Sequence, residues 1–174
     1  MSRRIIGLLL VAGLFAVPVH AQEEDLSSRR DYTDNAQRDR PIACKAGDIE
    51  DFAGKSMGDV FGTDWPLQPE ASTPAARTEV KMLERGKIRW PQGLDPQQAF
   101  TVVAVLVGAD GAPVRAEVLC KTRVGFDKAA RGYLMSSKYQ PATIDGKPVA
   151  SVAVQVISIR SIERDASPRK PRGT

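Results

Sequence analysis

Residues Asp110–Val149 read DGAPVRAEVLCKTRVGFDKAARGYLMSSKYQPATIDGKPV, and the succession of local signals in this stretch decides the fold. Asp110-Gly111 is a turn dipeptide between two apolar runs. Upstream of it, Phe100–Val107 (FTVVAVLV) is β-branched and apolar on both faces, which predicts a strand covered on both sides or lying in an interface. Downstream, Val114–Cys120 reads as a second strand. Its alternation places Ala116, Val118 and Cys120 toward the core and Arg115, Glu117 and Leu119 opposite. Phe126–Lys138 then carries a helical stripe of Phe126, Ala130, Tyr133 and Leu134, with Lys128, Arg131 and Lys138 facing water. Pro141 stops any continuation, and Asp145-Gly146 makes a turn before the last strand, Val149–Ile159. In that strand Val152, Val154 and Val156 share one face, and Ser151, Ala153 and Gln155 share the other. The order is strand, strand, helix, strand. It predicts an α+β class with an antiparallel sheet and one helix packed on a face.

The segments before this unit are less regular. Arg3 and Arg4 precede an apolar run, Ile5–Val19, that is short for a membrane span, and Val19-His20-Ala21 suits cleavage after Ala21. Residues 1–21 therefore read as a secretory leader, with an uncleaved inner-membrane anchor as the alternative. Residues 22–41 have Leu26 and Tyr32 as their only sizeable apolar residues and read as a flexible tether. Residues 42–88 form an N-terminal extension with a helical component. Ala43–Phe61 is ambiguous, because Gly47, Gly54 and Gly58 weaken a stripe of Ile49, Phe52, Val60 and Phe61. A short helix is expected after Thr73, which can cap it. Pro74 suits its first position, Ala76, Val80 and Leu83 share a face, and Gly86 can end it. Lys87–Trp90 reads as a short strand. The main unit spans 89–159, and 160–174 is a basic tail with the composition of a solvated end.

Composition narrows the chemistry. The formal charge is +4, and Arg3 and Arg4 leave with the leader, so the balance does not call for nucleic acid. The one histidine, His20, also leaves with it. No imidazole then remains for a nucleophile–base pair or a metal site, and two cysteines cannot complete a structural zinc site. Asp127 suits a helix start, and Asp110 and Asp145 suit turns. Asp48, Glu50 and Asp51 read as a solvated acidic patch. No active site, metal or cofactor is assigned. In an exported chain Cys44 and Cys120 are expected to join, closing a loop worth about 4 kcal/mol in the chain-entropy model; free buried thiols are the alternative.

The motifs together resemble the C-terminal domain of the TonB family. The residues that carry the resemblance are Val103, Val105 and Val107 before Asp110-Gly111, then Val118 and Cys120-Lys121-Thr122, then Phe126-Asp127 with Ala129-Ala130. Tyr139, Pro141 and Ala142 follow, and Gly146-Lys147-Pro148-Val149 opens the last strand; Arg89-Trp90-Pro91 matches the family's basic-aromatic-proline opening. The chain departs from the pattern at Arg131, at Ser137 and at Gln97-Gln98-Ala99.

The resemblance implies a periplasmic, non-enzymatic protein. It would pair its last strand with an extended segment of an outer-membrane receptor or another envelope protein, in support of transport. The expected contact residues are Ser151, Ala153, Gln155 and Ile157, with Arg89 and Trp90 flanking them; core packing is the other reading of Trp90. The alternative function is an envelope structural or assembly factor that forms a homodimer through the same sheet, without transducing energy. Membrane contact is expected only if the leader stays attached.

Overall fold

A computed structural model describes residues 32–89, 91 and 99–158. The expected leader, the first part of the tether (22–31), Trp90, Gln97, Gln98, Ile159 and the tail lie outside the described residues. The protein is α+β, built on an antiparallel four-stranded sheet.

Two long strands form the middle of that sheet. β4 (Phe100–Val107) pairs with β5 (Pro113–Lys121) across a tight turn. Asp110 Oδ1 accepts from the Ala112 amide at 2.9 Å, the local bond that makes aspartate a turn former. Gly111 has φ +82°, and a Cβ there would meet the Tyr139 carbonyl oxygen at 2.6 Å, so the turn requires glycine. β4 pairs on its other side with β9 (Ser151–Ser158), and β5 pairs with the short β1 (Ile49–Glu50), giving the order β1-β5-β4-β9.

Both faces of β4 are covered, as its uninterrupted apolar run predicts. On one face Val103, Val105, Val107 and Val118 meet helix α3 (Asp127–Met135) through Phe126, Ala130 and Leu134. On the other, Ala104, Leu106, Leu119 and Val152 meet Tyr32, Ile42, Met57, Phe61 and Trp65 of the N-terminal segment. Val103, Leu106, Phe61 and Trp65 are all 1 % exposed or less, and each such side chain contributes roughly 1.5–3 kcal/mol or more of burial.

The sheet corrects one face assignment. Val102 sits opposite Cys120 and Val103 opposite Val118, which leaves Leu119 as an extra residue, a β-bulge. The bulge shifts the alternation by one, so Cys120 points away from Val118 and joins the layer of the N-terminal segment. The Cys44–Cys120 disulfide is formed there.

The extension also differs from expectation. The helices ahead of the sheet are short: α1 (Asn35–Arg38), within the expected tether, has four residues, and α2 (Met57–Phe61), within the extension, has five. Ser56 and Asp59 form a reciprocal capping box on α2, which explains why this part of the ambiguous stretch turns helical. The helix expected after Thr73 does not form. Pro74–Ala76 is one 3-10 turn, followed by β2 (Arg77–Thr78) and β3 (Lys81–Glu84). Pairing with β7 (Ala142–Ile144) and β6 (Lys138–Gln140) overrides the helical spacing, and Thr73 makes no side-chain cap. Lys87–Arg89 is not a strand. Residues 32–41 are packed rather than free, since Tyr32 is 4 % and Thr33 1 % exposed.

Between α3 and β9 the chain makes three short strands, β6, β7 and β8 (Lys147–Val149), where only a turn is expected from the residues. Asp145 and Gly146 both have positive φ, the conformation of a tight hairpin turn, and they join β7 to β8. Among the described residues no helix is long and apolar enough to cross a membrane.

Candidate functional site

The expected contact residues fall on β9, and β9 stands at the end of the sheet. Among the described residues no strand pairs with its outer side. Alternate residues of such a strand direct N–H and C=O groups away from the sheet. The segment, SVAVQVIS, has eight residues with no charge, no proline and no glycine. Its ladder with β4 runs without a shift from Phe100↔Ser158 to Val107↔Ser151. Among the described residues it is an uncharged edge in unbroken register.

The opposite side of the sheet is built differently. β5 carries Arg115 and Glu117, and its ladder with β4 shifts twice. Arg115 binds Asp64 at 2.7 Å and also donates to the Val60 carbonyl, while Glu117 lies 3.5 Å from Arg115 and 3.8 Å from Arg131. The far end of β5 is taken by β1 and the disulfide. Charges, bulges and a covering segment are the devices by which proteins prevent strand addition at an edge. Among the described residues they are present along β5, and none is found on β9.

The six expected residues divide. Ser151 and Ile157 are buried at 1 % and 7 %, so any contact there is through backbone, whereas Ala153 and Gln155 are half-buried. All four face the side of the sheet that carries α3. Arg89 is exposed. Trp90 lies outside the described residues.

Two residues not expected at the site lie on the other face. Burial along β9 falls steadily there: Val152 is 4 % exposed, Val154 is half-buried, and Val156 is 46 % exposed. Phe100, opposite Ser158, is 50 % exposed. Alternation alone places Val156 in the core. It is open because the N-terminal segment covers only the start of β9, where Trp65 Nε1 donates to the Ala150 carbonyl at 3.1 Å.

Ionisable groups cluster elsewhere. Lys121, with a side chain 8 % exposed, lies 2.8 Å from Asp51 and 2.7 Å from Asp127. Burial opposes its charge, but the hydrogen bonds to Asp127 and Asp51 outweigh that, and its pKa is raised. This triad joins the extension, β5 and the start of α3, a structural role. Among the described residues no group of three or more His, Cys, Asp or Glu is placed to hold a metal. Compared with known proteins, the chain matches no family model, no curated protein and no solved structure.

Proposed function

We propose that this is a periplasmic, TonB-C-like binding protein that takes an extended partner segment as an added strand along β9. The observation that carries this reading is the contrast between the two sides of the sheet. β5 is charged, bulged and strapped, whereas β9 is eight uncharged residues in unbroken register. A long apolar edge left unblunted promotes pairing with whatever chain reaches it, so its persistence fits a strand that pairs by design. The order of β4, β5, α3 and β9 agrees with the motif order of the resemblance. The partner is an outer-membrane receptor or another envelope protein, affinity comes from the main chain, and the reading assigns no catalytic step.

The test is an NMR titration of isotope-labelled protein lacking residues 1–21, disulfide intact, with short peptides from outer-membrane receptor N-termini. Shifts concentrated in Ser151–Ser158, and weakened by Val156→Lys, are expected. Val156 is 46 % exposed, so that substitution should change stability by no more than about 0.5 kcal/mol. Absence of shifts at millimolar peptide would sink the reading for that peptide class. Concentration-dependent broadening of the same strand without peptide would instead favour a homodimer through β9.

A further inference from the structure

The guarded side of the sheet has its own device. Residues 43–55 form a strap whose ends are held together: Pro41 bridges Ser56, and the Ile42 amide donates to the Lys55 carbonyl at 2.8 Å. On either side of the strap the chain is firmly anchored, with Ile42 6 % and Met57 1 % exposed. Within it no residue is buried, and Ile49, its β-strand isoleucine, is 42 % exposed. Cys44 and Phe52 are partly buried against the N-terminal layer, and the strap offers no fully buried side chain to offset the entropy of ordering it.

Its attachments to β5 include the two residue pairs of β1, the Asp51 amide to the Leu119 carbonyl at 3.2 Å, the Asp51 carboxylate to Lys121, and the disulfide. Loss of Asp51 would leave Lys121 paired with Asp127 at 2.7 Å, so departure of the strap strands no buried cation. Of these attachments the covalent one dominates.

We propose that Cys44–Cys120 is a redox latch on this strap. In the oxidised protein the strap closes the Cys120–Lys121 end of β5. A dithiol reductant would attack Cys44, half-buried, rather than Cys120, which is 1 % exposed. Its thiolate forms a mixed disulfide with Cys44 and expels the Cys120 sulfur, and its second thiol then releases Cys44. The reductant is oxidised to its own disulfide, and its two electrons and two protons end on the two cysteine thiols. The freed strap swings away on its closed base. The Cys120–Lys121 end of β5 is then uncovered, on the opposite side of the sheet from β9, while the charges and bulges along the rest of β5 stay in place. Redox state thus sets whether that end of β5 is covered, independently of what β9 binds.

Hydrogen–deuterium exchange of the full chain, oxidised and after treatment with dithiothreitol, tests this. Reduction should speed exchange in residues 43–55, Asp51 included, by about tenfold or more beyond any change in β4, β9 and α3. Cys44→Ser without reductant should reproduce the pattern; if that variant does not accumulate, the reduction of folded wild-type protein decides alone. Unchanged exchange in the strap would overturn the latch. Uniform loss of protection throughout the sheet would overturn it too, by making the disulfide a staple of the whole domain.

Discussion

Trp65→Ala should cost about 4 kcal/mol. Trp65 is 0 % exposed. A buried tryptophan removes roughly 250 Å² from water, worth about 6 kcal/mol as an upper bound at about 25 cal/mol/Å². A compact unfolded chain lowers that by about 10–40 %, and measured truncations of this size fall at about 3–5 kcal/mol. The indole N–H also satisfies the Ala150 carbonyl at 3.1 Å, a bond worth about 1 kcal/mol. Trp65→Phe keeps a ring against Phe61, whose edge-on contact has centroids 6.2 Å apart, and should cost roughly half as much. Equilibrium urea unfolding followed by far-ultraviolet circular dichroism measures both. With a slope near 2 kcal/mol/M, the alanine variant's midpoint should fall by about 2 M in a single transition. A loss below about 1 kcal/mol, or two separated transitions in the wild type, would refute the claim that the N-terminal segment and the sheet share one cooperative core.

Three further outcomes are expected. Lys121→Ala leaves Asp51 and Asp127 facing each other and should cost about 2–3 kcal/mol, less than a fully buried pair because both carboxylates are part exposed; Asp51→Asn, which leaves Asp127 in place, should cost under about 1 kcal/mol by the same urea assay. Gly86→Ala should lower stability by about 1–3 kcal/mol, because its Cβ would collide with the Tyr133 carbonyl and Ser136 at the end of α3; a neutral result would mean that β3 is loosely held there. Stability should also fall at both extremes of pH. Burial pushes the Tyr139 phenol up to about 12 and Lys121 is raised, so their contributions are complete below the unfolded values, near 10, and are lost as pH rises through the folded ones. Asp145 has the opposite sign: hydrogen bonds from the Ser72 hydroxyl and amide lower its pKa, so its contribution is present above about pH 4 and lost as pH falls through the folded value. Urea midpoints measured across pH should show both limbs, and Asp145→Asn should flatten the acid one.

The parts of the fold legible in sequence are those set by local rules acting over several residues. The run at Val103–Val107 and the stripe of Phe126, Ala130 and Leu134 bury what their patterns predict, and Asp110-Gly111 turns as its residue types predict. The pairing of Cys44 with Cys120 followed from their being the only two cysteines. Misreadings arose where a distant partner decided the outcome. Thr73–Gly86 has a helical pattern, but β6 and β7 offer hydrogen bonds that a short isolated helix cannot match. Tyr32 looked like one aromatic in a polar tether, and it is buried because a second sheet face needed cover. At the candidate site the strand and its alternation were legible. The openness of Val156 and Phe100 was not, since it depends on how far the N-terminal segment reaches along β9.

The bulge at Leu119 has a consequence for how this chain can change over time. Side chains along a strand are read in a two-step phase, and the extra residue resets that phase between Val118 and Cys120. Deleting Leu119 would make Val118 and Cys120 neighbours in regular alternation, so the cysteine would still point away from Val118, toward Cys44. Drawing Leu119 into the regular ladder would instead turn the cysteine to the helical layer, out of reach of Cys44. The bond between two well-separated segments is thus compatible with loss of the extra residue from β5 but not with ironing it into the register, and the two half-cystines are coupled to a third position that carries no sulfur.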